Sequence, residues 1–275
     1  MVTMGCMSLS ASSVAAASSA WVWIPDNATV VETDEYTILR LPDYFDYQLS
    51  VIGFRPVGVI GEDGTLGALG EAVDRVLDRA RSFGLAEVRW QFGLEDPKGL
   101  ADELTARGAT VAVLVDVLAI ELTGGAPKLP PPTVDMSIRW ATDFETSRDG
   151  AAVGVTGFGG ALPPDDQIVQ SAARDAAAVP AGEGGMLVAY VGGLPAGSGG
   201  VTLVDGVARL WGGVVVPSAR GQGIYRAVLE ARLGYAVTHG ATMALVKGNV
   251  ATSGPILQKA GFTVFGHEPI YSVPL

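Results

Sequence analysis

The residues from Val214 to Arg226 read VVVPSARGQGIYR and carry the strongest chemical signal in the chain. The β-branched run predicts a strand, Pro217 stops it, and a glycine-rich turn leads into a helix. Gly221 and Gly223 permit dihedrals and a close backbone approach that a side chain would forbid. Arg220 to Tyr225 would then present several free backbone N–H groups at a helix N-terminus, a nest suited to a phosphate or pyrophosphate. Arg220 and Arg226 add positive charge there in an otherwise acidic chain. The spacing is neither a Rossmann loop, which needs a third glycine in register, nor a P-loop, which ends in Gly-Lys-Ser/Thr. From these residues alone, a glycine-rich helix start that binds nothing stays open as the alternative.

Other chemistry-bearing side chains are sparse. His239 precedes Gly240 at a predicted helix end, where a histidine favours the helix dipole. Tyr190 and Trp211 fall on predicted strands, as core filler or as the wall of an acceptor cavity. No Gly-x-Ser-x-Gly elbow occurs and the single cysteine, Cys6, lies in a poorly structured leader, so a covalent hydrolase is disfavoured. One cysteine excludes an internal disulfide, and one cysteine with two histidines leaves no multi-histidine or cysteine-based metal site.

The elements around the nest follow from periodicity. After Gly64, Leu69, Val73, Val76, Leu77 and Ala80 recur at helical spacing. The strand LAEVRWQF, a short helix in PKGLADELTARG and the strand run ATVAVLVDVLAIEL follow. Beyond the proline-rich stretch 127–137, DMSIRWAT reads as a strand and DQIVQSAARDAAAV as a helix. Three strands separated by glycine turns come next. Ile224, Ala227, Val228, Ala231 and Tyr235 form one stripe of the helix after the nest, followed by ATMALVKGN as a strand, SGPILQKAG as a helix and a final strand or hairpin. The two halves share this order at their tails, which predicts a divergent tandem repeat. The expected organisation is a flexible leader at 1–20, domains at 21–126 and 138–275, and a linker at 127–137. The fold class is α/β, with a mixed sheet.

VVVPSARGQGIYRAVL resembles the cofactor signature of the GCN5-related N-acetyltransferase family, in which Val-x-Pro-x-x-Arg-Gly-x-Gly precedes a small residue. GNVATSGPILQKAGF resembles that family's Asn-containing segment closing on Gly-Phe. The resemblance covers most of 138–275, and 21–126 looks like a degenerate copy without Arg-Gly-x-Gly. It implies an acetyl-CoA site, with acetyl-CoA as co-substrate and no metal. Val214, Val215 and Val216 would lie beside the acyl and pantetheine group. Arg220, Gly221, Gln222, Gly223, Ile224 and Tyr225 would wrap the pyrophosphate, with Arg226 at its edge. Asn249 would touch pantetheine or hold diverging strands apart. The family's usual proton-donating tyrosine is Leu257 here, and Tyr225 stands where many relatives have glycine or alanine. His267, Glu268 and Tyr271, in the terminal hairpin, are the catalytic candidates, because in such a fold that hairpin can approach the acceptor.

The implied activity is N-acetylation of a primary amine on a small molecule or protein by direct transfer, in the cytoplasm, by a monomer or homodimer. The alternative is a non-catalytic acyl-CoA-binding or interaction protein. Composition agrees with an amine-bearing acceptor. The 275 residues carry 18 basic and 29 acidic side chains, a net charge of −11. That balance opposes nucleic acid and anionic membranes and suits a cationic partner. No segment reaches the roughly 18 uninterrupted apolar residues of a membrane helix.

Overall fold

The computed structural model describes residues 9–57 and 67–275; Cys6 and Gly64 lie outside them. The chain opens with α1 (Ala11–Ser19), β1 (Thr29–Glu32), β2 (Thr37–Arg40), β3 (Leu49–Ile52), α2 (Gly67–Arg81), β4 (Glu87–Gln91), α3 (Leu100–Ala106) and β5 (Thr110–Glu121). It continues with β6 (Met136–Trp140), α4 (Phe144–Phe158), α5 (Asp165–Ala181), β7 (Gly184–Val191), β8 (Leu194–Val204) and β9 (Val207–Val215). A 3-10 turn, Pro217–Ala219, leads to α6 (Ile224–Thr238), β10 (Met243–Asn249), α7 (Ser253–Lys259) and β11 (Thr263–Pro274). The architecture is mixed α/β with parallel and antiparallel strand pairs.

Two compact units arise. The first comprises Ser18–Asp116 and Gly266–Leu275. Its strands β1, β2 and β3 are antiparallel neighbours, β3 runs parallel to β4, and β11 returns antiparallel to β4. The apolar stripe of α2 is buried as its spacing predicts: Leu69, Val73, Val76, Leu77 and Ala80 have no exposed surface. At about 1.5–3 kcal/mol for each fully buried large apolar side chain, that face holds α2 to its sheet. Trp90 of β4 is likewise fully buried, meeting Phe54 edge-on with ring centroids 5.0 Å apart.

The second unit comprises Val117–Phe265 with the described residues up to Ala17. Strands β6 to β9 run antiparallel in sequence order, and β10 pairs parallel to β9. Val204 and Val207 are joined by Asp205 and Gly206, both at positive φ, the two-residue hairpin turn that an Asp-Gly pair favours. Helices cover both faces. Gly185 lies against Val179 and Asp175 of α5, and Gly199 against Arg232 of α6. On the other face, Gly150 of α4 lies against Met186 and Val188.

The structure differs from the sequence expectations in four places. Within the leader, Ala11–Ser19 is a helix with Val14 fully buried, not a flexible segment. The unit boundary falls between Asp116 and Val117, and the stretch 127–137 lies inside the second unit, not between domains. The chain's end is one long strand whose residues from Gly266 onward join the first unit by pairing with β4, which no local pattern encodes. Finally, α4 was not expected. Asp143 caps it by accepting the Thr146 N–H at 2.9 Å, but Gly150, Gly154 and Gly157 dilute its helical signal. Those glycines have a packing reason: a side chain at Gly157 would run into Val214 of β9.

Candidate active site

The site begins with a fault in strand pairing. Ser198 of β8 faces Val214, and Gly200 faces Trp211. Gly199 therefore opposes two residues, Gly212 and Gly213, and the extra residue makes a β-bulge. Gly212 adopts φ +61°, a conformation that glycine adopts without strain. Beyond the bulge β9 loses its other neighbour as well. Its register with β10 ends at Leu210 opposite Val246, although β9 continues to Val215 and β10 to Asn249. The parallel strands thus diverge, leaving an unpaired strand edge that an extended ligand can join.

At the end of the diverging strand the chain turns into the nest. Gly221 and Gly223 have φ of +78° and +85°, and Gly223 caps α6 in the left-handed conformation. The first bond into the helix is Ala227 N–H to Gly223 O at 3.1 Å. The N–H groups from Gly221 to Arg226 thus have no backbone acceptor among the described residues, as expected for a helix start. The Gln222 carbonyl, in contrast, accepts the Thr133 N–H at 3.0 Å. A strap of the proline-rich segment holds the carbonyl side of the loop, which leaves the N–H side free.

The valines and arginines sit around this loop. Val214 is buried, and Val215 opposes Gly197 in the β8–β9 ladder. Val216, just past the strand, donates its N–H to Ala196 O at 2.9 Å. Arg220 folds back so that its Nε donates to Val215 O at 3.3 Å, and Arg226 Nε donates to Pro130 O at 3.4 Å. Ile224 is buried against Gly197. Asn249 ends β10 and accepts the Ala251 N–H on its own Oδ1 at 2.9 Å, so it shapes the turn at the open end of the gap.

Beneath the divergence lies Arg232, which sequence reasoning missed. It is 1% exposed, donates at 3.3 Å to the carbonyls of Val228, Gly200 and Trp211, and has no carboxylate beside it. Two of those carbonyls flank the bulge, so the guanidinium satisfies backbone groups that the interrupted ladder releases. Its Nη2 has no hydrogen-bond partner. That atom and the Tyr225 hydroxyl both point at one spot: a Cβ on Gly213 would lie 3.4 Å from the first and 3.3 Å from the second. Tyr225 therefore turns inward, toward Arg232 and Ser253, and not across the nest. Burial raises its pKa, partly opposed by the nearby Arg232 charge. Burial lowers the pKa of Arg232. The row Ile224, Val228, Arg232, Ala236 is the sequence signal that could have found this arginine, since every other member is buried.

The remaining candidates each have partners within their own unit. In the first unit, His267 Nδ1 pairs with Asp116 Oδ1 at 2.7 Å. Glu268 is 3% exposed and accepts the Ser18 hydroxyl at 2.9 Å. Tyr271 packs in the core of that unit, its ring 5.2 Å from Phe92. These three residues belong to the first unit and the nest to the second. In the second unit, Tyr190 donates to Asp149 at 2.8 Å, and burial, with that bond and charge, pushes its pKa up to about 12. A phenol that holds its proton so firmly is no general base near neutrality. Trp211 donates to Thr202 at 3.0 Å, His239 caps α6, and Leu257 is fully buried over Gly248. No cluster of metal-binding side chains occurs among the described residues.

Residues 150–262, which include the bulge, the nest, β10 and most of α7's surroundings, match the model of the Acetyltransferase (GNAT) family, and this part of the chain is a GNAT domain. Solved structures share the fold across nearly the whole chain. A GCN5-related N-acetyltransferase from Kribbella flavida aligns with a TM-score of 0.64 at 16% identity, covering 98% of this chain and 97% of its own. One from Sphaerobacter thermophilus aligns with a TM-score of 0.64 at 18% identity, covering 87% and 76%. A tandem GNAT protein from the clavulanic acid biosynthesis pathway aligns with a TM-score of 0.58 at 15% identity, covering 95% and 87%. No curated protein matches the chain. The family match points to acyl-CoA-dependent acetyl transfer as the class of activity.

Proposed function

We propose that this protein is an acetyl-CoA-dependent N-acetyltransferase that passes acetyl directly to a primary amine of a small molecule or protein. One observation carries the reading: unpaired N–H groups at Gly221 to Arg226 lie at the end of a strand that has parted from its neighbour. The residues present fit the group. The nest would hold a diphosphate, and the free edge of Trp211 to Val215 would take pantetheine as an added strand. Arg232 Nη2 is a buried donor still without an acceptor. When bound, acetyl-CoA supplies an electrophilic thioester and a thiolate leaving group.

The chain's own groups then have definite tasks. Strand N–H groups near Val214 are placed to stabilise oxyanion charge. The net charge of −11 draws an ammonium-bearing acceptor toward the protein. With Leu257 buried at the position of the family's phenol, the Tyr225 hydroxyl beside Arg232 is the phenol placed to protonate the departing thiolate. We place the activity in the cytoplasm, carried by a monomer or homodimer.

Titration calorimetry with acetyl-CoA and CoA tests the cofactor claim, and binding by neither at millimolar concentration removes it. The buried Leu257 favours a second reading, a non-catalytic acyl-CoA-binding protein. Thiol release above the no-enzyme rate across a panel of primary amines rejects that reading.

A further inference from the structure

An ion taken out of water loses hydration that only a counter-charge or good hydrogen bonds replace. Arg232 has no carboxylate beside it, its three hydrogen bonds are long at 3.3 Å, and Nη2 makes none. Two neighbouring strands nevertheless give up side chains to make room for it. A Cβ on Gly199 would lie 3.0 Å from its Cζ, and one on Gly213 3.4 Å from its Nη2. Bracing the bulge occupies Nη1, which reaches the carbonyls of Gly200 and Trp211, and leaves the charge and Nη2 without a task. An apolar side chain would fill the same space without stranding a charge.

The group that faces Nη2 is the Tyr225 phenol, whose hydroxyl would lie 3.3 Å from the same Gly213 Cβ. Strands β8 and β9 present glycine and carbonyl groups here, and α7 presents the uncharged Ser253. Among the described residues, Tyr225 is the one ionisable group acting on Arg232, and Arg232 the one charge acting on Tyr225. The two form an isolated couple, a cation and an acid that can become its anion. Gly213 lies beyond Leu210, where β9 has parted from β10, so the couple borders the free strand edge. Resting on the acetyl-CoA reading above, we propose that Arg232 is a positioning residue whose uncompensated charge serves as counter-ion to a Tyr225 phenolate formed during transfer. In that step the acceptor nitrogen bonds to the acyl carbon, and the carbon–sulfur bond breaks with its electron pair on sulfur. The Tyr225 O–H proton passes to sulfur, and a proton shed by the acceptor nitrogen, carried by water, restores the phenol. A carboxylate beside Arg232 would neutralise the charge at rest and leave the buried phenolate unsupported.

Tyrosinate absorbance after a stopped-flow pH jump, taken as the difference between each protein and its Tyr225→Phe counterpart, titrates this one phenol in the full chain without acetyl-CoA. Arg232→Gln should move the midpoint up by at least about one pH unit, the low end for losing an opposite charge at this range. Arg232→Lys keeps the charge and loses the planar fork, so its midpoint should stay nearer to wild type than to Arg232→Gln. With acetyl-CoA and a panel of primary amines, Arg232→Gln should lower kcat about tenfold with little change in KM for acetyl-CoA, and Arg232→Lys should recover part of that loss. A purely bracing role predicts equal losses in both variants and no movement of the midpoint, and either result would overturn the proposal. Should Arg232→Gln fail to fold, Gly213→Ala takes its place. Its methyl would occupy the spot shared by Nη2 and the phenol and should raise the midpoint, and an unmoved midpoint there overturns the proposal equally. A wild type that shows the Arg232-dependent midpoint but binds no acetyl-CoA overturns instead the reading on which the transfer step rests.

Discussion

Gly221 and Gly223 share a sign of φ but not an environment, and alanine at each should separate binding from folding. Both lie in the left-handed region, where an L-residue costs about 1–2 kcal/mol. A Cβ on Gly221 meets nothing within 4 Å. That variant pays the backbone cost alone, less the roughly 0.4–1 kcal/mol that alanine recovers by restricting the unfolded chain. A Cβ on Gly223 would lie 2.9 Å from Pro132 Cα and 3.0 Å from Arg226 Nη2. Backbone on the facing side cannot swing away, so the strap must shift, at the roughly 1–3 kcal/mol typical of overpacking. Gly223→Ala should therefore be less stable than Gly221→Ala by about 1–3 kcal/mol in urea unfolding. Each methyl also stands where a diphosphate must approach backbone, so both variants should lose at least about tenfold in acetyl-CoA affinity, about 1.4 kcal/mol. Equal stability of the two variants would refute the argument from Pro132. Wild-type affinity in both, with folding confirmed by circular dichroism, would refute the nest as the diphosphate site.

Tyr225→Phe should leave acetyl-CoA affinity close to wild type and cut turnover at least about tenfold, below the roughly 10²–10⁴-fold of a full general acid because water partly substitutes for the phenol. Undiminished turnover would show that water protonates the thiolate. His267→Ala should not change acetyl-CoA affinity in calorimetry, because its imidazole is paired with Asp116 inside the first unit. Asp175 is buried and accepts the Met186 N–H at 2.9 Å; burial raises its pKa above 3.8, against that bond and Arg174. Its folded form holds the proton more tightly than the unfolded chain does. Its contribution is therefore full below pH 3.8 and is lost as pH rises through the folded pKa. Asp175→Asn, which keeps an acceptor for Met186, should flatten stability against pH across that acidic window in denaturant titrations. An unchanged slope would rule out Asp175 as its source.

The sequence by itself determined those elements whose own side chains state their period or their stops. The stripe of α2, the Asp205–Gly206 turn, and the strand, proline and glycine order from Val214 to Gly223 are local patterns, and each occurs where its pattern puts it. The glycine turn before α6 was legible for the same reason, since positive φ at Gly221 and Gly223 is a property of a few adjacent residues. Glycine-diluted α4 and the short strands β1 and β3 carried too little pattern to be read. Tertiary structure alone decided the rest. Nothing in one strand's sequence tells where its neighbour stops pairing, so the parting of β9 from β10 after Leu210 and Val246 appears only in the sheet. Arginine on a helix reads as solvent-facing, yet Arg232 is buried because glycines at 199 and 213 leave room on the strands and the bulge leaves carbonyls to be satisfied. The proline stretch reads as a linker because proline stiffens chain locally. It becomes a wall beside the nest only through Thr133, Pro130 and Pro132, whose partners lie some ninety residues away in the chain.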